Sequence, residues 1–118
     1  MSGKRVLVCG GRDFNDLGAV WSQLDAFHAL EGPIIVVIHG GARGADELAA
    51  RWADFNGIHD DPFIAEWGQY GRAAGPLRNQ RMINEGAPDI LFAFPGGRGT
   101  ADMVRRARAA NIPVRMVP

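Results

Sequence analysis

Ile90-Leu91-Phe92-Ala93-Phe94-Pro95-Gly96-Gly97-Arg98-Gly99-Thr100 joins a continuous apolar run to a glycine-rich turn. Two earlier segments repeat the arrangement: Val6-Leu7-Val8-Cys9-Gly10-Gly11-Arg12, and Ile34 to Ile38 followed by His39-Gly40-Gly41-Ala42-Arg43-Gly44. Short, β-branched runs without alternation are the pattern of strands buried on both faces of a parallel sheet. A buried strand that ends in glycines and turns into a helix exposes backbone N–H groups and the positive helix end to an anion. An arginine at each turn adds a planar fork of charge-assisted donors. Three such turns in 118 residues predict one site for a phosphorylated, nucleotide-like ligand.

Outward from these turns, helix-length segments alternate with the strands. Asp16 to Leu30 carries Leu17, Val20, Trp21, Leu24 and Phe27 at helical spacing, with Asn15 or Asp16 as cap. Ala45 to Phe55 repeats the pattern, with Gly57 as a stop. Pro76 to Glu85 and Thr100 to Ala110 are two more helices, ended by Gly86 and Asn111. Ile58 to Ile64 is a strand interrupted by Asp60-Asp61-Pro62 and so placed at an edge, and Val114 to Val117 is the last. The order β-α-β-α-β-α-β-α-β predicts an α/β fold, a three-layer Rossmann-like sandwich on a mainly parallel five-stranded sheet. In such sheets the ligand lies beyond the carboxyl ends of the strands, where all three turns fall.

The length predicts a single domain over residues 1–118. Thirteen basic and thirteen acidic residues give zero formal net charge, which disfavours non-specific binding to a nucleic-acid backbone. Twelve of the thirteen basic residues are arginine; genomic composition explains such a bias as readily as function does. Cys9 is alone, so a reducing, cytoplasmic setting is expected, and the first apolar run is too short for a leader or a membrane span. No His/Cys/Asp/Glu cluster has metal-ligand spacing, and no bound cofactor is expected.

The turns are unequal as chemistry. Gly10-Gly11-Arg12-Asp13 lacks the Gly-x-Gly-x-x-Gly spacing, and no acidic residue closes the second strand to hold a ribose. A tight turn in which Asp13 merely caps a helix explains it about as well. Gly40-Gly41-Ala42-Arg43-Gly44 lacks the Gly-Lys-[Ser/Thr] ending of an NTP-hydrolysing loop. His39 is read there as a turn-bonded histidine, and Asp46 and Glu47 fit the dipole of a helix start. Pro95-Gly96-Gly97-Arg98-Gly99-Thr100 is the most specific string, with Thr100 able to cap the helix and offer a hydroxyl to phosphate. Trp67-Gly68-Gln69-Tyr70-Gly71, a loop rich in aromatics and glycine, is either a lid that stacks on a base or a plug at the core edge. Arg78 and Asn79 stand at a helix start within reach of phosphate or ribose.

Taken together, Pro95 to Thr100, Gly40 to Asp46 and Gly75-Pro76-Leu77-Arg78-Asn79-Gln80-Arg81-Met82 resemble the SLOG superfamily of Rossmann-like proteins. That superfamily includes the LOG phosphoribohydrolases and the DNA-processing protein Smf/DprA, and the chain looks most like its small YspA-type branch, related to YpsA. The resemblance spans nearly the whole chain, with the motifs in order. It implies a nucleotide or nucleotide-derived ligand over the glycine turns. In LOG enzymes the third motif continues to a glutamate that works with an arginine from the preceding helix to cleave an N-glycosidic bond. The arginine matches Arg78, but Met103 occupies the glutamate position. Adjacent Asp102 is rotated by about 100° on a helix.

Three functions compete on this reading. The first is a sensing or processing module for a nucleotide or ADP-ribose-like signal. Its ligand would be held by Gly10, Gly11, Arg12, Asp13, Gly40, Gly41, Arg43, Gly44 and Pro95 to Thr100, with Trp67, Arg78 and Asn79 completing the site. The second is hydrolysis of a nucleoside 5′-monophosphate, with Arg78 positioning the phosphoribosyl group and a carboxylate among Asp13, Asp46, Glu47 and Asp102 stabilising charge or activating water. The third, single-stranded nucleic-acid binding, is disfavoured by the net charge. A membrane partner is not expected. A homodimer or higher homo-oligomer is compatible with Trp21, Trp52 and Phe55 on helices, which serve equally well as core.

Overall fold

The computed structural model describes residues 3–118. In chain order the elements are β1 (Lys4–Cys9), α1 (Leu17–Leu30), β2 (Ile34–His39), α2 (Ala45–Phe55), β3 (His59–Pro62), α3 (Trp67–Tyr70), a 3-10 turn (Gly71–Ala73), α4 (Ala74–Gly86), β4 (Ile90–Ala93), α5 (Arg98–Ala109) and β5 (Val114–Met116). The sheet order is β3-β2-β1-β4-β5 and every pairing is parallel. The α/β, Rossmann-like expectation holds. From β1 the chain steps outward to β3, then crosses back to β4, so the topological switch lies between β1 and β4.

Strand side chains alternate between two cores, which makes the three layers. Val6, Val8, Ile90, Phe92 and Phe94 face Val20, Leu24, Phe27, Leu48 and Trp52 of α1 and α2. Leu7, Cys9, Leu91 and Ala93 face Met82, Ile83, Met103, Val104 and Ala107 of α4 and α5. Trp52 is fully buried, and its indole N–H donates to Asp25 at 2.8 Å, tying α2 to α1. Phe55 is exposed and stacks obliquely on Trp21. Among the described residues no helix is long and apolar enough to cross a membrane.

Several boundaries differ from those the sequence suggests. β3 is only His59–Pro62, although the Phe63 N–H just beyond it still donates to the His39 carbonyl at 2.8 Å. It does sit at the edge, as expected. α4 starts at Ala74, which puts Pro76 in the first turn, where no intrahelical N–H is required. α5 starts at Arg98 behind Gly97, so Thr100 lies inside the helix and is not its cap. Trp67 to Ala73 is a helical turn followed by a 3-10 turn rather than an open loop. Asp16 caps α1 as expected, accepting from the Ala19 N–H at 3.0 Å.

Candidate functional site

The three glycine turns meet at the switch point and brace one another. The Gly11 N–H donates to the Pro95 carbonyl at 2.8 Å, and the Gly11 carbonyl accepts from the Ala45 N–H at 3.3 Å. Gly44 has φ +79°, and a Cβ there would collide with the Gly11 carbonyl. A Cβ on Gly10 would lie 2.5 Å from the Ala45 Cβ, and one on Gly96 would strike the Thr100 hydroxyl. These glycines therefore serve close approach of turn to turn. Gly44, Pro95 and Gly96, expected to touch ligand, are spent on this bracing, Gly40 and Gly41 pack against the Arg78 and Ile64 side chains, and none of the five lines the crevice.

The second turn is closed from within. Asp46 Oδ2 accepts from the Gly40 N–H at 2.9 Å and from the Ala42 N–H at 3.3 Å. The Gly41 N–H donates to His39 Nδ1 at 3.0 Å, which leaves His39 Nε2 to pair with Asp60. That network makes His39 turn-bonded, as expected. Arg78 Nη1 donates to the Gly40 carbonyl at 2.7 Å and its Nε to Asn79 at 3.0 Å. Burial pushes the Asp46 carboxyl up from its ordinary range, against the pull of His39, the Ala42 and Gly40 amides and Arg78. Burial likewise lowers Arg78, with Asp46 opposing the shift and Arg12 adding to it.

The third turn is open. Ala101 N–H makes the first intrahelical bond of α5, to Gly97 at 3.0 Å, so the Arg98, Gly99 and Thr100 amides stand ahead of the helix ladder. Gly97 carries no side-chain cap, and a Cβ on Gly97 or Gly99 would meet nothing within 4 Å.

A crevice of about 780 Å³ lies between these turns, α3 and the starts of α4 and α5. It brings together Gly10, Gly11 and Arg12 of the first turn, Asp46 of the second, Trp67 of α3, Arg78 and Asn79 of α4, and Gly97 to Thr100 with Asp102 on α5. Asp13, Arg43 and Glu47 do not belong to it. All three are exposed away from the crevice, and Glu47 pairs with Arg51 at 3.6 Å, one turn along α2. Glu47 thus answers the helix dipole and offers no carboxylate to a ligand in the crevice.

Sequence reasoning missed Arg72 and Arg105, which also line the crevice. Arg98, Asp102 and Arg105 share one face of α5 at spacings of four and three, a signal present in the sequence. Five arginines (Arg12, Arg72, Arg78, Arg98 and Arg105) therefore converge on a space with two carboxylates, Asp46 and Asp102. In a chain of zero net charge this is a local cationic focus. Trp67 rests against Gly75, where a Cβ would lie 3.2 Å from the indole, and the Arg12 guanidinium sits 5.5 Å from the ring centre. Trp67 is 47% exposed and so is no core plug. Tyr70 lies outside the crevice. Cys9 borders it, but burial, helped by Asp46, pushes the thiol up to about 12, leaving it unreactive.

Asp102 anchors a polar seam between α4 and α5. It accepts from Asn79 at 3.0 Å, Arg106 at 2.8 Å and Arg105 at 2.8 Å. Burial opposes its ionisation, yet the bonds from Arg106 and Asn79 and the charges of Arg106 and Arg105 outweigh it and hold the carboxyl below its ordinary range. A depressed carboxylate stabilises the fold fully above its unfolded pKa, about 4, and loses that contribution as pH falls through the lower folded value. Asp102→Asn is therefore expected to cost about 1–2 kcal/mol at pH 7 and progressively less as the solution is acidified below about pH 4. Urea denaturation at pH 7 and pH 3 checks this; a cost that stays the same at both would refute it.

Met103, at the glutamate position of LOG enzymes, is 1% exposed and packs in the core beneath α5. Among the described residues no group of three or more His, Cys, Asp or Glu side chains could hold a metal ion.

A model of the YspA, cpYpsA-related SLOG family matches residues 4–70. The chain belongs to that family. A relative in Mycobacterium phage D29, the gene 61 protein, is 44% identical over 121 residues, covering 94% of both chains. Two solved structures resemble this SLOG chain in fold. DNA processing protein A (DprA) from Streptococcus pneumoniae superposes with a TM-score of 0.73 at 19% identity, over 98% of this chain and 50% of DprA. The protein TM1055 does so with a TM-score of 0.71 at 17% identity, over 94% of this chain and 72% of its own. The chain thus spans about half the length of that DprA. SLOG membership points to a nucleotide-related role in general.

Proposed function

We propose that the crevice binds the phosphate of a nucleotide or nucleotide-derived ligand, ADP-ribose-like compounds included, at the N-terminus of α5, and that the protein works as a sensing or processing module for it. One observation carries this reading: the third turn has open space around Gly97 and Gly99, leaves the Arg98, Gly99 and Thr100 amides ahead of the helix ladder with no side-chain cap, and lines an arginine-rich crevice along its length. Phosphate there meets the Arg98, Gly99 and Thr100 N–H groups, the helix dipole and Arg98 itself. Trp67, with Arg12 above its ring, offers an aromatic and cationic surface to the base.

Binding is better supported than LOG-type hydrolysis. That chemistry needs a free carboxylate beside the sugar, whereas Met103 is buried, Asp102 is engaged by three donors, and Asp46 Oδ2 is held by two amides.

Incubation with nucleoside 5′-monophosphates and ADP-ribose, followed by melting and chromatography, tests the proposal. A ligand present at a hundred times its Kd contributes about 2.7 kcal/mol, which raises the Tm of a domain this size by roughly 10 °C. The expected result is such a rise without release of free base. Trp67→Ala is expected to weaken nucleotide binding about tenfold, within the range for one stacked base, and to leave inorganic phosphate binding unchanged. No rise with any phosphorylated compound would overturn the reading.

A further inference from the structure

The second and third turns differ at one helical position. α2 and α5 each follow a glycine N-cap, Gly44 and Gly97, yet the second helical residue is Asp46 in α2 and Gly99 in α5. Asp46 is buried, and its Oδ2 accepts from the Gly40 and Ala42 amides that an incoming anion would otherwise meet. At α5 no side chain plays this part, and the space around Gly99 is open.

We infer that Asp46 is a resident anion that closes the second turn to phosphate and so determines which ligands the crevice accepts. This inference rests on the phosphate site proposed at α5. With Asp46 forming part of the wall, a second phosphate there would meet a carboxylate, and the Gly40 and Ala42 amides would already be taken. A ribose, whose hydroxyls donate hydrogen bonds, suits the same wall. The ligand class is then a nucleoside derivative whose phosphate groups all lie together on α5, with a sugar toward α2. A compound that must anchor phosphates on both turns is excluded.

Amide NMR of the 118-residue chain, titrated with inorganic phosphate, tests this directly. In the wild type the Arg98, Gly99 and Thr100 amides are expected to shift, while those of Gly40 and Ala42 stay still. In Asp46→Ser, too short to bridge both amides, Gly40 and Ala42 are expected to respond as well. The gain at the second turn should be about tenfold in apparent affinity, the size of one charge-assisted hydrogen bond. Phosphate shifts at Gly40 and Ala42 in the wild type would overturn the inference, whether or not the variant folds. Silence at both turns in the wild type would instead defeat the α5 phosphate site. The variant then decides alone: a response gained at Gly40 and Ala42 upholds the role of Asp46, and none overturns it.

Discussion

Gly99→Asp is expected to weaken nucleotide binding at least about a hundredfold while leaving the fold as stable as before or slightly more so. The two effects have opposite signs for separate reasons. A Cβ at Gly99 meets nothing within 4 Å, so the side chain enters without collision. Removing a helical glycine contributes about 0.5–1 kcal/mol, and an acidic group in the first turn adds about 0.3–1 kcal/mol through the dipole. The same carboxylate stands where the ligand phosphate would sit. Two like charges about 5 Å apart at an effective dielectric of 20 repel by about 3 kcal/mol, which is a hundredfold in affinity. Calorimetric titration beside thermal melting reads both. Binding that survives would refute the phosphate site, and a loss of stability that parallels the loss of binding would show only that the helix start had been damaged.

The largest effect on stability is expected from Gly44→Ala, about 3–4 kcal/mol. Part of it is the positive φ of +79°, a conformation costing a non-glycine residue about 1–2 kcal/mol. The rest comes from driving a methyl group into the Gly11 carbonyl and breaking its bond from the Ala45 N–H. Gly57→Ala separates the two contributions, since Gly57 has φ +65° with nothing within 4 Å of a built Cβ. That variant is expected to lose only about 1–2 kcal/mol. Denaturant unfolding of the pair compares them. Equal losses would mean that the braced turns do not hold the switch point together.

How far the site was legible depended on what each residue had to do. Strands were readable because a parallel sheet with helices on both faces demands continuous apolar runs, and Val6–Cys9, Ile34–Ile38 and Ile90–Phe94 supply them. The edge position of β3 was readable from Pro62. The helical turn at Trp67–Tyr70 was not, because Gly68 and Gly71 speak against a helix there and contacts with α4 override that propensity. Glycines in all three turns looked alike in sequence, since glycine serves close packing and ligand approach equally well. Only geometry separates Gly10, Gly44 and Gly96, pressed against neighbouring turns, from Gly97 and Gly99, which face open space. Glu47 and Asp46 are also indistinguishable by position in a helix start. One residue of rotation puts the first in solvent beside Arg51 and the second into the turn.

The arginines show the same limit. Arg12, Arg78 and Arg98 were candidates because each adjoins a turn or helix start, and all three line the crevice. Arg43 adjoins a turn as closely, yet points to solvent. Arg105 lies seven residues beyond Arg98 and reaches the crevice along the face of α5.

A crystal structure with a bound nucleoside 5′-monophosphate tests the central claim most directly. Phosphate oxygens are expected within hydrogen-bond distance of the Arg98, Gly99 and Thr100 amides, with the Gly40 and Ala42 amides still bonded to Asp46. Phosphate seated on the Gly40 and Ala42 amides, or held only by exposed arginine side chains away from α5, would contradict it.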